Sequence, residues 1–378
     1  MESEIYNTLT IVLVTFVFSA LIMPLMKKVA VHVGAMDMPR KEEGNRHIHK
    51  KPIPKLGAVG IYLSFLFGYM LFGKESIQMN SILIGSFIMI LTGIVDDLKS
   101  IRAYQKLICH IVAASIIVFY GKILLSNITA FGFAIDLGIF SYPITILFIV
   151  ACCNIINLID GLDGLSGGIC SIFFLTIGII GFYQGRGGSL VMILTFIMLG
   201  ATLGFLLHNF YPAKIFAGDC ATFMGFIISI ITLLEFKGPA LTSFFVPILL
   251  LGIPIIDTAF AIIRRALKGK PIFSADKEHL HHQLLGMNFS QRTTVLIIYG
   301  MNILFAMASI FYTLKDPVTG TVIYIILFII FLWFILHTSI ISDKSPKLTK
   351  KIEQKLKLPS SKNKKKNKQK TKKKTTSK

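Results

Sequence analysis

Runs of roughly 17 to 22 predominantly apolar residues follow one another through most of this 378-residue chain, and no other feature restricts its fold as much. A soluble domain breaks its apolar residues into short periodic stretches, whereas a run near 20 residues matches the hydrocarbon thickness of a bilayer. Eleven candidate spans fall at about 8–26, 56–73, 79–95, 107–124, 139–159, 165–183, 189–208, 222–236, 241–262, 294–314 and 320–341. Composition agrees, with 54% hydrophobic residues, 15% charged residues and a mean hydropathy of +0.71. The predicted fold class is all-α, a polytopic integral membrane protein with about eleven transmembrane helices.

Basic residues resist translocation and therefore orient the spans. With the N-terminus outside, the inner segments 27–55, 96–106, 209–221, 263–293 and 342–378 hold 34 of the 39 Lys and Arg residues. The outer loops hold only Lys74, Lys122, Arg186, Lys237 and Lys315. An outside N-terminus and a cytoplasmic C-terminus are expected. MESEIYNTLT has no basic n-region and no small-residue cleavage site, which predicts an uncleaved first helix rather than a signal peptide. The five cysteines lie in or beside spans without metal spacing, so no disulfide framework is expected.

The net charge of +20 invites a nucleic-acid reading. However, the excess sits in KNKKKNKQKTKKKTTSK and in inner loops beside spans, where anionic lipid headgroups attract each basic residue by about 1 kcal/mol. Anionic membrane lipids, and no nucleic acid, are the expected partners of the tail. Residues 1–341 read as one transmembrane domain. Residues 342–358 place Leu348, Ile352 and Leu356 on one face of a basic interfacial segment, and 359–378 read as a disordered Lys-rich cytoplasmic tail.

The unusual polar segments are DMPRKEEGNRHIHKKPIPKLG (37–57), DDLKSIRAYQK (96–106), NLIDGLDGLSGG (157–168), HNFYPAKIFAGDCAT (208–222) and RRALKGKPIFSADKEHLHH (264–282). An orientation assigned from Lys and Arg alone puts all five on the inner face. A single cytoplasmic site is predicted.

Each segment carries its own chemistry. Asp96 and Asp97 end the third span, with Lys99, Arg102 and Lys106 close behind. Charged span ends are ordinary, but adjacent carboxylates repel unless a cation or proton lies between them, and a divalent metal is the natural partner. In NIINLIDGLDGL, Asn154, Asn157, Asp160 and Asp163 follow at intervals of three, so neighbours share a helical face. A carboxylate at the bilayer centre costs about 2.5 to 3.5 kcal/mol on insertion scales, so both must face protein, water or ligand. Bonds to neighbouring helices or an ion path in a transporter are alternatives, although a transporter would carry ionisable residues at mid-span rather than at inner ends. Gly161 and Gly164 let the backbone open here.

Asp219 follows a glycine at the mouth of the eighth span, with Asn209 and Phe216 just before it. A hard cation such as Mg²⁺ takes one or two carboxylates and keeps water and substrate phosphates as its other ligands. Asp219 with Asp163, or with the Asp96/Asp97 pair, suits that role. Phe216 could stack a planar base or simply pack. His279, His281 and His282 lie in a basic loop without the pattern of a zinc site, so phosphate contacts compete with a surface role. Together with His47, His49, Lys50, Lys51, Arg264 and Arg265, they make an inner face rich in phosphate donors.

The ordered series HxxxxPxxG (His49 to Gly57), DDLKSIRAYQK, NIINLIDGLDGLSGG, FAGDCAT and ADKEHLHHQLL resembles the polyprenyl-phosphate N-acetylhexosamine-1-phosphate transferases over about residues 1–341. The resemblance implies transfer of a sugar 1-phosphate from a UDP-sugar to undecaprenyl phosphate in the cell membrane. It further implies release of UMP, with Mg²⁺ as the expected cofactor and Mn²⁺ as its substitute. This would be the first membrane step of a cell-wall or surface polysaccharide such as teichoic acid. By motif, Asp219 is implied as the main metal ligand with Asp163 beside it. Asn157, Asp160, Asn209 and Phe216 are implied on the uridine side, His49, Lys50, His279, His281 and His282 at donor phosphates, and Asn154 and Arg265 among the other substrate-binding residues. Asp96 and Asp97 are implied at the acceptor phosphate, with Lys106 neutralising charge. The family's GDxGS is here Gly218-Asp219-Cys220-Ala221-Thr222, and its paired glycine is Gly57-Ala58. HLHH rather than HHH resembles the GlcNAc-1-phosphate branch over the MurNAc-pentapeptide branch. A homodimer is a further family-level expectation.

Overall fold

The computed structural model describes residues 2–38, 51–130, 133–235, 252–267, 280–287, 289–314 and 317–337. His49, Lys50, His279 and the segments 342–358 and 359–378 lie outside the described residues, as does the side chain of His282. The chain divides into two compact units, residues 1–327 and 328–378. In the second, only the end of one helix is described.

Twelve α-helices are described: α1 (Glu2–Val33), α2 (Gly57–Phe72), α3 (Ile77–Leu98), α4 (Ala103–Ser115), α5 (Ser141–Ile159), α6 (Leu165–Tyr183), α7 (Leu190–Asn209), α8 (Thr222–Glu235), α9 (Gly252–Leu267), α10 (Leu280–Gly286), α11 (Gln291–Leu314) and α12 (Pro317–His337). Among the described residues seven spans are long and apolar enough to cross a membrane: Tyr6–Val33, Ile77–Leu98, Ala103–Tyr120, Gly138–Ile159, Leu165–Tyr183, Leu190–Asn209 and Gln291–Leu314. The architecture is thus a mainly helical, multi-pass membrane bundle. The stretches 56–73 and 222–236 form shorter helices, α2 and α8, and α12 holds a short apolar stretch, Val318–Ile330. Of 241–262, only the part from Gly252 is described.

Two small antiparallel strand pairs qualify the all-α expectation. β1 (Met36–Asp37) pairs with β2 (Ile53–Pro54), which joins the chain on either side of residues 39–50. β3 (Asn127–Ala130) pairs with β4 (Phe133–Asp136) between α4 and α5, in a connection that reads from sequence as featureless. There the two strands satisfy each other's backbone groups, as a chain leaving a helix must.

Helices α6, α7 and α8 are buried along most of their length, whereas α1 presents Leu9, Leu13 and Leu21 at 59%, 62% and 73% exposure. Apolar side chains so exposed along a 32-residue helix suit lipid rather than water. Small residues bring the backbones together, as lipid offers helices no hydrophobic drive to associate. Gly204 of α7 abuts the Phe16 carbonyl of α1, and the Ser19 hydroxyl donates to the Ala201 carbonyl at 2.7 Å. Gly93 of α3 packs on the backbone of Cys220, where a Cβ would lie 2.6 Å from its Cα. The last of these contacts sets the end of α3 against the turn that precedes α8.

Candidate active site

The end of α3 and the start of α4 are shaped by their own polar side chains. Asp96 Oδ1 accepts the Ile101 N–H at 2.8 Å, which closes the turn after α3. Gln105 Oε1 accepts the Arg102 N–H at 2.9 Å, which starts α4 and places Lys106 one turn in. Lys106 then forms ion pairs with Asp96 and with Asp219, the latter at 2.7 Å between Nζ and Oδ1. Two carboxylates from distant parts of the chain thus share one ammonium group.

Asp219 is delivered by a second set of bonds. The Phe216 N–H donates to the Pro54 carbonyl, and the Gly57 N–H donates to the Phe216 carbonyl, both at 2.8 Å. The chain then turns at Gly218, whose φ of +75° favours glycine. The Asp219 N–H meets both oxygens of Asp97, at 3.2 and 3.1 Å. Asp97 also pairs with Lys55, at 3.2 Å from Nζ to Oδ1. Burial works against the charge of Lys55, but the carboxylates of Asp97 and Asp219 outweigh it and hold its ammonium above the ordinary lysine range. Where the family pattern has serine, Thr222 keeps a hydroxyl, which donates to the Asp219 carbonyl at 3.1 Å. Ala58 and Ala221 are fully buried, so both replacements of glycine fit without exposed space.

The second half of the site is the loop between α5 and α6. Helix α5 ends when the Asp160 N–H bonds to the Asn157 carbonyl, and Gly164, at φ +81°, redirects the chain into α6. The Gly164 N–H donates to Asn209 Oδ1 at 3.0 Å, Asn209 Nδ2 donates to the Ile215 carbonyl at 2.9 Å, and the Tyr299 hydroxyl donates to the Gly164 carbonyl. The Ala213 N–H donates to Asp163 Oδ2 at 2.9 Å, and the Ser166 hydroxyl donates to Asp160. Burial pushes the Asp160 carboxyl up to about 7. The Ser166 hydroxyl opposes the rise, and the charges of Asp219, Asp97 and Asp163 reinforce it. Those charges also mark the two halves as neighbours.

The structure therefore brings together Asp96, Asp97, Lys106 and Asp219, and beside them Asp160, Asp163, Asn209 and half-buried Phe216. His281 is 3% exposed and packs on the loop, since a Cβ at Gly161 would lie 2.6 Å from its Nε2. Asn157 contributes the carbonyl that ends α5. Exposed Asn154 instead bonds to Val150 of its own helix, at 2.7 Å. Partly exposed Arg265 lies on α9.

Four residues escape the sequence reading. Lys55 lies inside the first motif, and its charge beside Gly57 was the available signal. Ser166 follows the loop within the third motif. Nothing in the sequence singles out Tyr299, or Asp257 of α9, whose Oδ1 accepts the Leu280 N–H at 2.8 Å and so anchors the start of α10.

Among the described residues no three His, Cys, Asp or Glu side chains form a ready metal cluster. The donor set instead fits a hard cation that takes one or two carboxylates and completes its shell with water and phosphate. The side chain of Asp219 is 27% exposed and is held by an ammonium, and is thus both accessible and suited to a positive partner.

Residues 79–235 match the family described as Glycosyl transferase family 4. The chain is 38% identical over 349 residues to a probable undecaprenyl-phosphate N-acetylglucosaminyl 1-phosphate transferase of Bacillus subtilis (strain 168), covering 90% of this chain and 95% of that protein. It is 29% identical over 325 residues to the decaprenyl-phosphate N-acetylglucosaminephosphotransferase of Mycobacterium tuberculosis (strain ATCC 25618 / H37Rv), covering 77% and 80%. It is 28% identical over 291 residues to the undecaprenyl-phosphate alpha-N-acetylglucosaminyl 1-phosphate transferase of Escherichia coli (strain K12), covering 75% and 78%. With described residues of the second, third and fourth motifs brought together in a membrane bundle and similarity running over nearly the full length of the B. subtilis relative, the chain belongs to the polyprenyl-phosphate N-acetylhexosamine-1-phosphate transferase family.

Proposed function

We propose that this protein transfers N-acetylglucosamine 1-phosphate from UDP-GlcNAc to undecaprenyl phosphate, releasing UMP. The observation that carries the reading is the 38% identity over 95% of the B. subtilis relative, whose name states the sugar phosphate and the lipid acceptor. The site supports it, because a cluster of carboxylates balanced by lysines suits a reaction between two phosphate-bearing substrates.

In the proposed mechanism an oxygen of the lipid phosphate attacks the donor phosphorus nearest the sugar, in line with the departing UMP. A bond forms from that oxygen to phosphorus, and the bond from phosphorus to the UMP oxygen breaks. A phosphate monoester loses its second proton near pH 6, so at neutral pH the acceptor is already mostly dianionic and no strong base is required. Positioning is then the main task of Asp96 and Lys106 at the acceptor, while His281, Arg265, His49 and Lys50 donate to donor phosphates. Asp160, Asn157 and Phe216 border the uridine. Asp219, with Asp163, would hold Mg²⁺ or Mn²⁺. When bound, that cation supplies positive charge to the diphosphate.

The proposed topology has eleven spans, an outside N-terminus and the site on the cytoplasmic face. A cysteine introduced at Lys350 is expected to be unreactive toward an impermeant reagent in intact cells, and labelling there would overturn the orientation. Purified protein should release UMP from UDP-GlcNAc only when undecaprenyl phosphate is present. Trapping a radiolabelled phospho-enzyme from the UDP-sugar alone would replace the one-step route with an aspartyl intermediate.

A further inference from the structure

Asp96, Asp97 and Asp219 meet at one place, but they differ in what they can reach. The Asp97 side chain has no exposed surface, whereas that of Asp219 is 27% exposed. Both Asp97 oxygens face the Asp219 N–H, and Oδ1 also faces Lys55 Nζ. Gly218 has no room for a side chain, because a Cβ there would collide with the Asp97 carboxylate. A carboxylate held this way cannot touch a substrate phosphate while it keeps these contacts.

Lys55 is fixed just as firmly. Its N–H donates to the Ala35 carbonyl at 2.9 Å, and Pro54 just before it and Gly57 two residues after it bond to the backbone of Phe216. The chain runs from Phe216 through Gly218 to Asp219, whose N–H returns to Asp97 and through it to Lys55. The result is a closed ring of backbone bonds, the Asp219 N–H bond to the Asp97 carboxylate and one ion pair, with the Asp219 carboxylate projecting from it.

We infer that Asp97 and Lys55 are positioning residues that act through Asp219, fixing its backbone so that its carboxylate stands where a divalent cation is taken up. This rests on the transferase reading, in which Asp219 is the metal ligand, and it moves Asp97 from the acceptor phosphate to the support of that ligand. Partners that orient a ligand without touching the metal typically change metal affinity 10- to 100-fold when removed.

The test uses the full-length protein in detergent and Mn²⁺ alone, with bound ion measured by electron paramagnetic resonance. Lys55→Met and Asp97→Asn should each weaken Mn²⁺ binding by about 10- to 100-fold. Lys55→Arg, which keeps the ion pair, should restore most of it. At saturating metal, the acceptor KM of both weakened variants should stay close to that of the unaltered protein. Lys55→Met leaves Asp97 and Gly218 in place and gives an answer even if Asp97→Asn does not fold. Unchanged Mn²⁺ binding in Lys55→Met overturns the inference. So does an Asp97→Asn protein that binds Mn²⁺ normally but needs far more lipid phosphate. Failure of the transferase reading looks different: the unaltered protein would bind Mn²⁺, lose it in the variants, and release no UMP.

Discussion

The two halves of the site hold their carboxylates by different means. At the α3–α4 corner, Asp96 and Asp97 meet the ammonium groups of Lys106 and Lys55, and Asp219 shares Lys106. In the α5–α6 loop, Asp160 meets a hydroxyl and Asp163 a backbone N–H, while Asn209 and Tyr299 hold the loop at Gly164. Cations favour ionised carboxylates, which can then exchange one cation for another. The neutral donors described in the loop fix its shape. The first half is suited to managing charge and the second to holding a loop in register with it.

The sharpest way to break this contrast is at Asp219. Asp219→Asn removes the one carboxylate of the corner with substantial exposure, and turnover should fall to background while the protein still folds. Near-normal activity with unchanged Mg²⁺ dependence would remove Asp219 as the ligand. Gly218→Ala comes next, since it places a Cβ against Asp97 at a φ/ψ combination close to glycine-only, which costs alanine about 1–3 kcal/mol. A displacement near 1 Å at a reacting centre can cost about 100-fold in rate, and kcat should drop by that order.

The loop should respond to pH instead. With its carboxyl raised to about 7, Asp160 binds a proton more tightly in the folded chain than in the unfolded one, where it titrates near 3.9. Its contribution to stability is fully present below pH of about 4 and is lost as pH rises through about 7. Thermal unfolding in detergent without divalent cations should therefore show melting temperature falling over that window, with a shallower fall in Asp160→Asn. An identical slope in both proteins would show that burial does not govern this carboxyl. The smallest effect is expected for Tyr299→Phe, which removes one hydrogen bond to Gly164. It should lower stability by about 1 kcal/mol, measured by denaturation, with metal binding unchanged.

The charged half was largely legible in the sequence. Carboxylates such as Asp96, Asp97 and Asp219 stand out against apolar surroundings, and the one-sided distribution of Lys and Arg grouped their segments before any contact was known. The partners that hold the loop were not. Tyr299 is one aromatic residue among many in an apolar helix, and only tertiary packing of α11 on α6 brings its hydroxyl to Gly164. Lys55 looked like one more cytoplasmic lysine because its role depends on a backbone pairing between Pro54 and Phe216, 162 residues away. The β3–β4 pair was missed for a local reason: its strands are four residues each, too short for alternation to register. The helical bundle itself was readable because span length is set by the bilayer and not by partner residues.

The most direct test of the central claim is UMP release by the purified full-length protein with Mg²⁺ and undecaprenyl phosphate, comparing UDP-GlcNAc with UDP-MurNAc-pentapeptide. Release that requires the lipid and occurs with UDP-GlcNAc is the predicted result. Turnover of the pentapeptide donor alone would move the protein to the other branch of its family, and no UMP from either donor would contradict the proposed activity.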